Sequence, residues 1–152
     1  MQINIYSITK KDAAYRALQE ELCMRCKPFG ANIKHFELFP QSVKNAQKIS
    51  LNKAQQSYTH IFTPYLNTNG LNIALDPGGK SYNSHSFAHL IESHQLIQFF
   101  IGGAYGLEKS FVNLTHAVSL SAMTLSHKIA KLVLCEQIYR ALSILSSHPY
   151  HK

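Results

Sequence analysis

Along this chain, stretches with apolar residues at every second position alternate with longer stretches in which they recur every three or four. Residues 1–8 place Ile3, Ile5 and Ile8 among polar neighbours, the period of a half-buried strand. Asp12 then stands where a helix N-cap is needed, and the helix it predicts runs to Met24, ahead of Pro28-Phe29-Gly30. Residues 33–39 predict a second strand closed by Pro40. A polar, lysine-bearing helix follows from Ser42 to about Tyr58, with a continuation toward Pro64. Residues 71–75 predict a short buried strand, Pro77-Gly78-Gly79 a turn, and residues 84–94 a helix. Residues 96–101 form an apolar run that leads straight into glycines; a short helix is predicted over 107–113 and a last strand over 117–120. The longest helix is predicted over 126–146.

Strand and helix alternate throughout, so the chain predicts an α/β fold with a mainly parallel sheet and right-handed crossovers. At 152 residues, 45% of them hydrophobic, it fits one domain over 1–152, with about 70% of its unfolded surface buried. The last helix carries Ile129, Leu132, Val133, Ile138, Leu142 and Leu145, which spread round most of its circumference. Such a helix needs cover on more than one side, and a second subunit is one source of it. The longest unbroken apolar run, around residues 132–135, falls far short of the roughly 20 residues of a membrane span. Met1-Gln2-Ile3-Asn4 starts a strand rather than a leader, so a cytoplasmic protein is expected.

The net charge of +7 is unevenly placed. Residues 1–53 hold nine Lys and Arg against four acids, a balance of +5; residues 54–152 hold six against four, a balance of +2. This suits either a polyphosphate partner or a merely solvated surface. Cys23 and Cys26 form a C-x-x-C that closes a helix instead of opening one, and Cys135 stands alone, so reduced, ordinary cysteines are expected. His85, His89 and His94 share a predicted helix but no carboxylate pattern completes a metal site, and no metal is assigned.

Ligands of parallel sheets bind beyond the carboxyl ends of the strands. Three candidate loops occupy such positions, after Leu75, after Ile101 and after Leu120. The run Ile101-Gly102-Gly103-Ala104-Tyr105-Gly106 lacks the G-x-G-x-x-G order and the later acid of a dinucleotide site. Its glycines instead allow close approach of a ligand to the main chain.

The ordered set of Gly102-Gly103-x-x-Gly106-Leu107, Ser119-Leu120-Ser121-Ala122-Met123-Thr124-Leu125, Glu136-x-x-Tyr139-Arg140-Ala141 and the terminal Tyr150-His151-Lys152 resembles the SPOUT methyltransferases. Within them, it is similar to the type that methylates N3 of a pseudouridine in the 23S ribosomal RNA of the large subunit. The resemblance is densest over residues 99–152 and extends more weakly to Leu75-Asp76 and Gly78-Gly79-Lys80. It implies a C-terminal trefoil knot, a homodimer, and S-adenosyl-L-methionine as cofactor. It also implies cofactor contacts from Leu75, Gly102, Gly103, Leu120, Ser121, Ala122, Met123, Thr124 and Leu125, with the tail of one subunit completing the pocket of the other.

Methylating an imide nitrogen requires its proton to leave and the reacting atoms to be held near contact. His151 titrates near neutrality when unperturbed, so it suits accepting the proton or, when charged, stabilising the developing anion. Lys152 and Arg140 suit anionic oxygens, and Tyr150 suits stacking on a base, so Tyr150, His151 and Lys152 are the candidate catalytic residues and Arg140 the candidate substrate contact. Glu136 and Arg140, spaced i, i+4, suit either a surface ion pair or a device that orients the site. His127 follows the last loop and is assigned a supporting place. Two rivals stay open: a related enzyme acting on transfer RNA, and a ribosome-binding module without turnover.

Overall fold

The computed structural model describes residues 1–150. Its strands β1 (Gln2–Ser7), β2 (Asn32–Glu37), β3 (Leu71–Ser81), β4 (Leu96–Ile101) and β5 (His116–Ser119) lie in one sheet in the order β2-β1-β4-β3-β5. Every pairing is parallel. Helices α1 (Ala13–Cys26), α4 (Ser84–Glu92) and α6 (His127–Leu145) contribute to the core on one face, and α2 (Gln41–Ile49), α3 (Leu51–Phe62) and α5 (Lys109–Val112) to the core on the other. Strand alternation sorts the side chains: Ile3, Ile5, Ile73, Ile97 and Phe99 enter the first core, Tyr6, Ala74 and Phe100 the second. The second core is largely aromatic, with Phe62, Phe100 and Phe111 ring centroids 5.3 to 5.7 Å apart.

The expected helix over 42–58 is two helices. Ser50 is extended (φ −167°, ψ 165°), ends α2, and accepts the Lys53 N–H on its hydroxyl at 3.2 Å. A serine offers the backbone this alternative to helical hydrogen bonding, so the chain breaks where the periodicity continued. Asp12 caps α1 as expected, accepting the Ala14 N–H at 3.0 Å.

The expected turn at Pro77-Gly78-Gly79 is an excursion inside β3. Leu75 and Lys80 both stand opposite Val118, so residues 76–79 bow out and the strand then resumes beside β5. The Asp76 carboxylate accepts the Gly78 N–H at 2.8 Å and shapes the bow. A Cβ at Gly79 would lie 2.7 Å from the backbone of Ala117 and Val118, so only glycine lets the strand return so closely.

The longest helix, α6, is covered by its own chain more fully than its apolar circumference suggested. It packs between α1 and α4, and Ile138 and Leu142 are buried in that core. The remaining face, with Ile129, Leu132, Val133, Glu136 and Arg140, is half-exposed.

Candidate functional site

Strands β4, β3 and β5 are neighbours and parallel, so their carboxyl ends open on the same side. There the three loops that follow Leu75, Ile101 and Ser119 converge with the first turn of α6 around a cavity of about 400 Å³. Leu75, Ile101, Val118, Leu120, Leu125 and Ala130 supply apolar walls, Asp76 and Pro77 line one side, and His127 stands on another. This volume lies in the range of small-molecule sites, roughly 300–1,000 Å³.

The glycine loop after β4 is fastened from outside. Gln55 donates to the Tyr105 carbonyl at 2.9 Å and Thr59 donates to the Glu108 carboxylate at 2.7 Å, while Gln47 ties α2 to α3 by donating to the Tyr58 hydroxyl at 2.6 Å. Gly102 and Gly103 line the cavity, but a Cβ at Gly103 would lie 2.8 Å from the buried Tyr58 hydroxyl and 3.0 Å from Ile8. Glycine at 103 is therefore required by packing against α3 as the loop leaves the sheet. The left-handed backbone sits at Gly106, φ 70°. Space for a ligand alone does not account for these glycines.

The loop between β5 and α6 is shaped by its serines. Ser119 donates to the Ser121 carbonyl at 2.9 Å, the Ser121 hydroxyl accepts the Met123 N–H at 3.0 Å, and Ser126 caps α6. Leu120, Ser121, Met123, Thr124 and Leu125 all line the cavity; Ala122 is exposed and does not. Sequence reasoning placed His127 beside the loop, and the structure puts it on the wall itself. Burial holds its imidazole below the ordinary histidine value, and the neighbouring Lys128 ammonium pushes in the same direction. A neutral ring therefore faces the cavity at pH 7.

The candidate substrate and tail residues gather elsewhere on α6. Glu136 accepts two hydrogen bonds from Arg140, at 3.0 Å from Nε and 2.6 Å from Nη2. The Tyr150 hydroxyl donates to the same carboxylate at 3.3 Å, and the Arg140 guanidinium lies 4.9 Å from the Tyr150 ring centroid. Tyr150 also packs on Tyr139, with centroids 4.5 Å apart. Glu136 thus orients a cation and a phenol at once, which is more than a solvated i, i+4 pair does. Neither Arg140 nor Tyr150 lines the cavity; ten helical residues separate Ala130 from Arg140, about 15 Å along the axis. His151 and Lys152 lie outside the described residues.

Of the histidines expected on one helix, His85 and His89 lie on α4 and His94 falls beyond its end at Glu92, while His89 pairs with Glu92 at 3.2 Å. Of the lysines behind the basic amino-terminal half, Lys44, Lys48 and Lys53 are exposed on α2 and α3. Among the described residues, no helix is long and apolar enough to cross a membrane.

Comparison with known proteins bears directly on this geometry. A family profile described as "Predicted SPOUT methyltransferase" matches residues 1–151. The chain is 68% identical over 153 residues to the ribosomal RNA large subunit methyltransferase H of Helicobacter hepaticus, covering all of both chains. It is 48% identical to the protein of the same name from Helicobacter acinonychis and 47% to that from Helicobacter pylori strain Shi470, again with full coverage of both chains.

Proposed function

The chain belongs to the SPOUT methyltransferase family, and from that premise we infer that it transfers a methyl group from S-adenosyl-L-methionine to N3 of a pseudouridine in 23S ribosomal RNA. The observation that carries this is the convergence of three strand-end loops on one cavity, lined by Leu75, Gly102, Gly103, Leu120, Ser121, Met123, Thr124 and Leu125. The relatives named for large-subunit ribosomal RNA methylation match the chain from end to end, which favours that substrate over transfer RNA.

The cavity suits the cofactor. Its walls are mostly apolar, as a purine and a thioether require, and the residues 120–125 form neither helix nor strand, leaving main-chain amides and carbonyls to meet the adenine. When bound, the cofactor supplies an electrophilic methyl group on a sulfonium. The neutral His127 ring adds no positive charge beside a cationic ligand. Ala122 is the one expected contact left outside, and its place in the loop is to carry Ser121 and Met123 on either side.

Chemistry on the base falls to the other end of α6. Because Arg140 and Tyr150 lie far from their own chain's cavity, we assign the active form to a homodimer in which the partner subunit's tail covers the cavity, with the half-exposed face of α6 near the contact and the chain knotted around the cofactor loops. There His151 takes the N3 proton as the bond to the methyl forms, while Lys152 and Arg140 stabilise the anion that develops on the base. Glu136 fixes the direction of Arg140 before substrate arrives. The exposed lysines of α2 and α3 offer charge to the RNA backbone, and the enzyme would work in the cytoplasm, where ribosomes are. Nucleoside mass spectrometry of ribosomal RNA from a strain lacking the gene tests the assignment. N3-methylpseudouridine should vanish from 23S RNA and return when the gene is restored; its persistence in the deletion strain would sink the proposal.

A further inference from the structure

Away from the cavity, α1, β2 and α6 bring together three side chains that the methyl-transfer chemistry does not use. Cys23 lies on α1, His35 on the edge strand β2 and Cys135 on α6, and their ligand atoms all lie within 4.8 Å of one another. The Cys23 sulfur is 3.1 Å from His35 Nε2. Cys135 is fully buried. Residues 112 positions apart in sequence meet here, which no spacing motif could have shown.

We propose that Cys23, His35 and Cys135 form a binding site for a thiophilic divalent cation, zinc by the chemistry of its donors, with an exogenous ligand such as water in the fourth position. Two thiolates and an imidazole are a zinc donor set, with Zn–S about 2.3 Å and Zn–N about 2.0–2.1 Å. A tetrahedral ion with those bond lengths separates its sulfurs by about 3.8 Å and a sulfur from a nitrogen by about 3.6 Å. The Cys23–His35 separation of 3.1 Å needs to open by about half an ångström, and the other two pairs, both within 4.8 Å, need to close by no more than about 1.2 Å.

Electrostatics favour the ion. Two thiolates and a divalent cation sum to zero charge, and the adjacent Lys131 is already matched by Glu37 at 2.9 Å, with the Lys131 side chain 2% exposed. Placing a cation there leaves no uncompensated charge in a mostly buried region. His35 Nδ1 is buried without a hydrogen-bond partner. The other ring nitrogen, Nε2, is the one turned to the Cys23 sulfur, so it is the atom placed to ligate. Cys26, the other half of the C-x-x-C, instead turns its thiol to the Leu22 carbonyl at 3.3 Å and stays out of the cluster. The ion would tie the edge strand β2 to α1 and α6.

The test uses the full chain, reduced and stripped of metal by chelation, then titrated with Co²⁺ and afterwards Zn²⁺. One equivalent of Co²⁺ per chain should give thiolate-to-cobalt charge-transfer absorption with the intense visible bands of a tetrahedral site, and Zn²⁺ should displace it. Zn²⁺ should also shield two of the three cysteines from alkylation and raise the melting temperature. Cys23→Ser and His35→Gln should each weaken binding by on the order of 100-fold or more, while Cys26→Ala should leave it intact. Cys23 is only half-buried, so its variant keeps the test open should Cys135→Ser fail to fold. Absence of the charge-transfer band from the folded chain, its survival in Cys23→Ser, its loss in Cys26→Ala, or formation of a Cys23–Cys135 disulfide in preference to metal uptake would each overturn the proposal. Cofactor affinity should be unchanged in Cys23→Ser, which keeps the result independent of the methyltransferase assignment.

Discussion

The two ends of α6 are built from different materials. At its start, Ser126, His127 and Ala130 close a cavity whose other walls are loops at the ends of adjacent parallel strands, held by hydrogen bonds within the chain. Toward its end, Glu136, Arg140 and Tyr150 form a cluster of polar side chains that fix one another and touch no part of that cavity. A site that rests on loops and apolar walls can bind without the second cluster. On the proposed reading, the charged cluster acts only when it is brought to the cavity of a partner subunit. Binding and chemistry should therefore separate when either end is altered.

The sharpest separation comes from removing residues 151–152. Tyr150 packs on Tyr139 and belongs to the fold's margin, so it is better left in place. With His151 and Lys152 gone, methyl transfer to ribosomes should fall by about 10²–10⁴, while cofactor affinity by calorimetry and the melting temperature stay near wild type. Transfer at the wild-type rate would dissolve the contrast and move the chemistry to Arg140 or the cavity.

A substitution on the half-exposed face of α6 tests whether the two ends meet across a dimer. Val133→Glu leaves the buried Ile138 and Leu142 untouched, so the chain should fold, yet a charge placed in the contact should weaken association by about 1–3 kcal/mol, roughly 5- to 160-fold. Light scattering across a concentration series reads that shift, and transfer should fall in parallel. A variant that remains as fully dimeric as the wild type would place the contact elsewhere, whereas wild-type monomers with full activity would remove the composite site altogether.

Gly103 sharpens the comparison from the cavity side. Its missing Cβ makes room for the Tyr58 hydroxyl, so Gly103→Val should cost about 1–3 kcal/mol of stability through overpacking, with lost cofactor affinity as a consequence of the displaced loop. Tyr58→Phe removes the atom 2.8 Å away, so Gly103→Ala should be milder in a Tyr58→Phe background than alone. Equal melting-point losses in the two backgrounds would show that the loop, not α3, is what a side chain at 103 offends.

Much of this was legible because it is local. The span 96–101 reads as a strand from its own apolar run, Asp12 and Ser126 announce helix starts, and the three loops follow from strand ends. What escaped depends on distant partners. Ser50 divides α2 from α3 because its hydroxyl outcompetes a helical pattern that looks continuous. Residues 76–79 bow out because the strand resumes beside β5, an event that the turn chemistry of Pro77-Gly78-Gly79 cannot reveal. Gly103 reads as a ligand glycine until Tyr58, 45 positions earlier, is seen against it. Ala122 belongs to the run that lines the cavity but is itself exposed and does not line it, a matter of side-chain direction that residue order does not encode.

The smallest effect is expected from His127, the one titratable ring on the cavity wall among the described residues. Its folded value lies below that of the unfolded chain because burial disfavours the charged form. Above about pH 6.5 the ring is neutral in both states and costs nothing. As pH falls past that value the unfolded chain takes up the proton first, so stability declines until pH passes the folded value, after which this contribution levels off. A bound sulfonium would depress the ring further, because two positive charges then face each other across the cavity. Cofactor affinity should accordingly fall a fewfold on acidification through the free-protein value, while His127→Gln should flatten that part of the profile without changing affinity near pH 8. Calorimetric titrations of both proteins between about pH 5 and 8 measure the difference. Parallel profiles would show that His127 does not sense the ligand, and that the acid sensitivity belongs to other groups.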